Sequence, residues 1–211
     1  MGNRQPGIGN GQRATGNRVT NVLLTGVGGQ GTITASQVLA QACLLAGWEV
    51  KKSEIHGMSQ RGGSVESHVR FSPHGQVYSP IIPEGEVDVL LGFELLEALR
   101  WLPQVKSAGA ILVDLRRIMP MTVSIGAAQY PEEALDRLQA SGRRLLVVSA
   151  FAEAKKLGEA RAANIILVGA ASALLPLPPE ALIEAIRLTV RPKVLDLNLQ
   201  AFRRGTELAA A

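Results

Sequence analysis

Apolar positions along this chain alternate between short continuous runs and longer stretches where they recur every three or four residues. Val19–Thr25 is a compact apolar run of strand character that ends in glycines. From Thr32 to Ala46, the residues Ile33, Val38, Leu39, Ala42 and Leu45 recur at helical spacing, and Gly47 stops the run. Trp48–Glu54 reads as a second strand, so the chain opens as strand, glycine turn, helix and strand, a βαβ unit. Ser64–Phe71 has Val65, Val69 and Phe71 as strand residues, and Pro73-His74-Gly75 turns the chain into Gln76–Ile81, which predicts a hairpin. Val87–Leu91 is a buried strand, followed by a helix over Glu94–Trp101, a strand at Ala110–Asp114 and a short strand at Thr122–Ile125. Pro131 opens a helix over Glu132–Ala140, and Arg144–Ser149 returns to the sheet. Helices fill the remainder over Phe151–Gly158, Ala162–Leu175, Pro179–Thr189 and Leu195–Gly205, punctuated by Pro176, Pro178 and Pro192. The fold class expected is α/β: a single Rossmann-like, doubly wound, mainly parallel sheet with helices on both faces and an inserted β-hairpin. Residues 1–18 hold almost nothing to bury and read as a disordered leader, with residues 19–211 as one domain.

Composition narrows the chemistry. Of 211 residues, 46% are hydrophobic but only 4% aromatic, so the core is built from Ala, Val, Leu and Ile, as suits buried parallel strands. The formal charge of +4 is misplaced for nucleic-acid work. Arg4, Arg13 and Arg18 stand in the leader without an acidic neighbour, which leaves the rest of the chain nearly neutral and without a phosphate-binding face. Cys43 is the only cysteine, which excludes an intrachain disulfide and a cysteine-held iron–sulfur cluster in this chain. Its apolar neighbours mark it as a structural thiol. His56, His68 and His74 lack metal-ligand spacing, and Asp88 and Asp114 sit at strand positions suited to capping or pairing. The mainly apolar run from Ile165 to Leu175 is too short to span a bilayer, and residues 1–18 lack the apolar stretch of a secretory signal. A soluble, cytoplasmic protein is expected, with neither nucleic acid nor membrane as partner.

Two stretches carry the candidate chemistry. The first is Thr25-Gly26-Val27-Gly28-Gly29-Gln30-Gly31, whose Gly26-x-Gly28-x-x-Gly31 spacing matches the dinucleotide fingerprint after a strand and before a helix. Glycines permit a tight turn and bring backbone N–H groups to a phosphate at a helix N-terminus. Glu54, at the end of the second strand, stands where a ribose-binding acid would sit. The same glycines equally serve to pack helix on strand or to contact another subunit. The second stretch, His56-Gly57-Met58-Ser59-Gln60-Arg61-Gly62-Gly63-Ser64-Val65, packs imidazole, guanidinium, amide and hydroxyl groups among three glycines between two strand-like runs. Such groups need partners when buried, so this segment is a loop facing a ligand or another subunit. A loop that merely braces the fold, with Arg61 bonded to carbonyls, is the blander possibility.

Together the two motifs resemble the gamma-type domain of 2-oxoacid:ferredoxin oxidoreductases and, within that family, the small (beta) subunits of the indolepyruvate enzymes. Supporting stretches are Ser67-His68-Val69-Arg70-Phe71, Tyr78-Ser79-Pro80, Ile82-Pro83-Glu84-Gly85 and Asp88-Val89-Leu90-Leu91-Gly92-Phe93-Glu94. Lys193-Val194, Asn198-Leu199 and Ala201-Phe202 extend the likeness toward the C-terminus, so that it covers roughly residues 19–205. The leader and Arg116-Arg117 depart from the pattern and touch neither motif.

The resemblance implies oxidative decarboxylation of a 2-oxoacid, an aryl pyruvate in the indolepyruvate members, with coenzyme A to acyl-CoA, carbon dioxide and reduced ferredoxin. It implies thiamine diphosphate, Mg2+ and [4Fe–4S] clusters in a large partner subunit, none of them bound by this chain alone, and a hetero-oligomer, a dimer of heterodimers, that meets ferredoxin as a complex. The chain has no Cys-x-x-Cys run and no Gly-Asp-Gly motif, in keeping with that division. Candidate catalytic residues are His56, for proton transfer, and Arg61, whose planar fork suits a carboxylate or phosphate. Candidate substrate-, coenzyme A- or interface-binding residues are Gly26, Gly28, Gly29, Gln30, Gly31, Glu54, Gly57, Met58, Ser59, Gln60, Gly62 and Gly63; no metal ligand is expected. The competing readings are a freestanding NAD- or flavin-binding Rossmann-type oxidoreductase and a structural module whose ligand site has decayed.

Overall fold

The computed structural model describes residues 18–56 and 63–210, apart from the His56 side chain. The chain runs β1 (Thr20–Val27), α1 (Thr32–Leu45), β2 (Glu49–His56), β3 (Ser64–Ser72), β4 (Val87–Gly92), α2 (Leu95–Trp101) and β5 (Val105–Asp114). It continues through α3 (Met121–Ser124), α4 (Ala134–Gln139), β6 (Arg144–Val148), α5 (Ala150–Lys156), α6 (Ala163–Ala171), α7 (Pro179–Thr189) and α8 (Leu195–Ala210). The six strands form one sheet in the order β2-β3-β1-β4-β5-β6. The pairs β1–β4, β4–β5 and β5–β6 are parallel, whereas β3 runs antiparallel to both β1 and β2.

That single reversed strand changes the expected topology. β1 and β2 point the same way across the α1 crossover, but β3 is inserted between them, so the βαβ unit is split. The hairpin is formed by β2 and β3 rather than by residues 64–71 with 76–81. Residues 76–81 make no strand because side chains of β3 take their backbone groups. The Arg70 guanidinium donates to the carbonyls of Ser79 (2.9 Å) and Ile81 (3.0 Å), and His68 Nδ1 accepts the Ile82 N–H (3.2 Å). The segment therefore lies over the sheet face instead of extending the ladder. A second correction falls at 122–125, which is helical: Pro120 caps α3, and its carbonyl accepts the Ser124 N–H.

Helices cover both faces unequally. One face packs Val22, Leu24, Val69, Phe71, Leu91 and Leu112 against α1 and α6, with α7 and α8 outside them. All nine residues of α6 are buried. It can sit there because Gly169 meets Gly205 of α8: a Cβ on Gly205 would lie 2.0 Å from the Ile166 carbonyl oxygen. The other face packs Leu23, Leu90, Ile111 and Val113 under the shorter α2 and α4. Among the described residues, no helix is long and apolar enough to cross a membrane.

Candidate functional site

The carboxyl end of β1 runs into the glycine turn, where Gly29 (φ 97°) and Gly31 (φ 82°) adopt left-handed backbone. Protein side chains fill the space the glycines leave. Gln30 folds back so that its Oε1 accepts the Val27 N–H (2.6 Å) while its Nε2 donates to the Phe93 carbonyl (2.6 Å). A Cβ on Gly26 would lie 2.8 Å from Gln30 Oε1, and one on Gly31 would lie 2.5 Å from Asn164 Nδ2. Glu54 is paired with Lys52 on β2, and β3 separates it from β1. Two strand spacings are about 10 Å. A dinucleotide reading needs its acid on the strand next to the glycine turn, and Glu54 is not on that strand.

The two sequence motifs meet at this edge. Gly28 N–H donates to the Gly63 carbonyl (2.9 Å), and His56 and Gly26 both align with Val65 in the sheet register. The backbone at the Gly63 end of the polar loop is thus held against the glycine turn, and the His56 end lies across β3 from it. Gly57, Met58, Ser59, Gln60, Arg61 and Gly62, with the His56 side chain, lie outside the described residues.

Next to this junction is a cleft of about 300 Å³ lined by Ser64, Glu94, Glu97, Arg100, Met119 and Met121 among others. Glu94, 1% exposed, follows β4 and caps α2. Its Oε2 accepts the Glu97 N–H (2.9 Å), and its Oε1 accepts the Ile118 N–H (3.2 Å) and the Tyr130 hydroxyl (2.7 Å). Burial and that carboxylate hold the Tyr130 phenol well above its usual range, so it stays a donor. Glu97 Oε2 accepts the Ser64 hydroxyl (2.6 Å), and its Oε1 lies 3.4 Å from the Arg100 guanidinium. The cleft presents a guanidinium, a hydroxyl and thioethers around carboxylates whose acceptor sites are largely taken up by protein donors.

A smaller crevice of about 170 Å³ opens on the other side of the turn, lined by Gly29, Gln30, Asp114, Arg116 and Phe151 among others. Arg116 stacks on the Phe151 ring at 3.9 Å. Asp114 Oδ2 accepts the Phe151 N–H (3.1 Å), and burial pushes its carboxyl up to about 6. As expected for a strand-end acid, Asp114 caps a helix.

The comparison with known proteins extends over nearly the whole chain. The model of the family described as pyruvate ferredoxin/flavodoxin oxidoreductase matches residues 21–208. The chain belongs to this family. It is 41% identical over 196 residues to the indolepyruvate oxidoreductase subunit IorB of Thermococcus kodakarensis, covering 90% of this chain and 95% of that one. It is 27% identical over 187 residues to the pyruvate/ketoisovalerate oxidoreductases common subunit gamma of Pyrococcus furiosus, covering 88% and 95% of the two chains. The crystal structure of the keto/oxoacid ferredoxin oxidoreductase gamma subunit from Geobacter sulfurreducens superimposes with a TM-score of 0.69 at 26% identity, over 91% of this chain and 99% of that one.

Within this member of the pyruvate ferredoxin/flavodoxin oxidoreductase family, the residues least visible from sequence are Glu94, Glu97, Arg100 and Arg116. Glu94-x-x-Glu97 at a strand-to-helix junction has the spacing of a capping box, and that was the available signal. Cys43 is buried in α1 and its thiol is pushed up to about 12, so it offers no thiolate to a cluster. A lone cysteine in this setting does not fit an iron–sulfur ligand set.

Proposed function

We propose that this chain is the small subunit of an indolepyruvate-type 2-oxoacid:ferredoxin oxidoreductase and completes the active site of a larger thiamine- and cluster-bearing subunit. The reaction would convert an aryl pyruvate and coenzyme A into acyl-CoA and carbon dioxide, with the two electrons leaving to ferredoxin. Support comes first from the 41% identity to a subunit bearing the indolepyruvate oxidoreductase name along almost its full length. The observation in the fold that carries the reading is the Gly28–Gly63 hydrogen bond, which sets both family motifs at one edge, at the carboxyl ends of the parallel strands.

In this reading the loop from His56 to Gly63, together with Gly26, Gly28, Gly29, Gln30 and Gly31, faces the partner. Arg61 offers its fork to the carboxylate of the 2-oxoacid or a phosphate of coenzyme A, and His56 moves a proton near neutral pH. Met58, Ser59 and Gln60 contact the partner or substrate, and Gly57 and Gly62 allow close approach. Glu54, ion-paired on β2, takes a supporting place at the interface rather than on a nucleotide. The complex is a cytoplasmic dimer of heterodimers, with thiamine diphosphate, Mg2+ and [4Fe–4S] clusters held by the large chain.

The test is anaerobic reconstitution with the cognate large subunit and an assay of aryl-pyruvate- and coenzyme A-dependent viologen reduction. Turnover is expected only with both chains present, and indolepyruvate should outperform pyruvate. Arg61→Ala should lower kcat/KM by about a hundredfold with the complex intact, the scale of one lost charge-assisted contact in a desolvated site. Full turnover by Arg61→Ala and His56→Ala would remove the loop's role. A cofactor-loaded large subunit that neither binds nor needs this chain would remove the subunit reading itself.

A further inference from the structure

A cleft of about 390 Å³ lies on the α2 side of the sheet, where β3 runs past the end of that helix, and the site described above does not account for it. Three buried polar atoms of residues that line it have no hydrogen-bond partner among the described residues: Glu66 Oε2, His68 Nε2 and Trp101 Nε1. His68 is 6% exposed, and its Nδ1 is already committed to the Ile82 N–H, so in the neutral ring the proton sits on Nε2. Burial, with Arg70 nearby, lowers the imidazole's affinity for a second proton. Glu66 Oε2 stands 3.8 Å from His68 Nε2, beyond hydrogen-bond reach, and burial together with the neighbouring Glu97 pushes that carboxyl up. Leu23, Ile82 and Val87 supply the apolar part of the wall.

The unmet inventory is two N–H donors and one carboxylate oxygen. Unpaired groups of this kind are costly, so an occupant that answers all three is favoured over one that answers fewer. An ammonium answers Glu66 alone. A carboxylate answers the two N–H groups but faces Glu66, with Glu84 also in the wall. An amide answers the set, because its carbonyl oxygen has two lone pairs for Trp101 and His68 and its N–H donates to Glu66. We propose that this cleft is a binding site for an uncharged carboxamide group carried on an apolar body, supplied either by a small molecule or by a peptide group of another chain.

Benzamide is the probe, with benzoate and benzylammonium as isosteres of opposite charge. Titrated into the ¹⁵N-labelled full chain, benzamide is expected to shift the Trp101 indole N–H saturably, while both charged analogues bind at least about tenfold more weakly. Trp101→Phe, which keeps a ring but removes the donor, should abolish saturable binding without altering the fold. Glu66→Gln should narrow the gap between benzamide and benzoate, because it replaces the repelling charge with an amide. No saturable shift by any probe would mean that the three atoms are satisfied by an ordered water or a Glu66–His68 hydrogen bond, and would overturn the assignment. Tighter binding of benzylammonium or benzoate than of benzamide would overturn the amide class. If benzamide binds the isolated chain but is excluded from the complex with the large subunit, the assignment stands with a partner peptide group as the source. Binding that persists in the complex supports it with a soluble carboxamide as the source.

Discussion

The two sides of β3 belong to different kinds of protein interior. Toward α1, its residues Val69 and Phe71 join an apolar layer, and Val65 and Ser67 on the same side of the strand are buried as well. Toward α2, the alternate residues Ser64, Glu66, His68 and Arg70 form a polar stripe running from the cleft beside Glu97 to the carbonyls of Ser79 and Ile81. One face is held by volume and the other by hydrogen bonds through Ser64, His68 and Arg70, with Glu66 Oε2 and His68 Nε2 left unmet. Burial removes apolar surface from water at little positional cost, whereas a buried polar group is stabilising only when its partner is in place. The apolar side therefore tolerates conservative exchange, and the polar side concentrates the groups available to a ligand or partner.

The largest expected effect attacks the apolar side. Phe71 is fully buried and stacks on Trp48 with ring centroids 5.6 Å apart. Phe71→Ala should lower unfolding free energy by about 3–5 kcal/mol, through lost transfer energy and the cavity left behind. Chemical denaturation of the isolated chain measures it; a loss below about 1 kcal/mol would mean this layer is not close-packed.

On the polar side, Glu94→Ala strands the N–H groups of Glu97 and Ile118 and the Tyr130 hydroxyl. A loss of about 2–4 kcal/mol is expected, with Glu94→Gln recovering part of it because the amide oxygen still accepts. Equal losses for the two variants would show that side-chain volume, not acceptance of hydrogen bonds, holds this corner.

Asp114 gives the subtlest contrast, as a buried acid at the carboxyl end of β5. Its folded pKa of about 6 lies above the ordinary value of 3.8, so between these pH values the folded chain binds the proton that the unfolded chain has released. Stability should therefore fall as pH rises through this window, by about 2–3 kcal/mol from this group. Asp114→Asn, which still offers an oxygen to the Phe151 N–H, should flatten that limb and match or exceed the parent at pH 7. Parallel pH–stability profiles for parent and variant would show that Asp114 titrates normally.

Much of the fold was legible because periodicity is a local signal. Apolar spacing with Pro and Gly punctuation predicts the helices at Pro179–Thr189 and Thr32–Ala46, and an apolar run broken only by Asp88 predicts the strand at Val87–Leu91; the observed elements end within one residue of these bounds. The turn Pro73-His74-Gly75 before 76–81 suits a hairpin strand, while the hydrogen bonds that redirect the segment, donated by Arg70 and accepted by His68, are tertiary. The candidate site shows the same division. Both motifs stood out as sequence, but their meeting through Gly28 and Gly63 depends on how β3 pairs. Glu94 gave only a capping signal, since its bond to Tyr130 closes across 36 residues.

The sequence by itself determined most of the order of strands and helices, apart from 76–81 and 122–125, together with the glycine turn, the single cysteine and the family to which the two motifs point. Only the tertiary structure decided that β3 separates β1 from β2, that Gln30 and Asn164 occupy the glycine turn, and that Glu66, His68 and Trp101 share one cleft. The physical reason is range. Propensity and periodicity act over a few neighbouring residues, whereas strand order and the partners of buried polar groups depend on segments brought together only when the sheet closes its pairings.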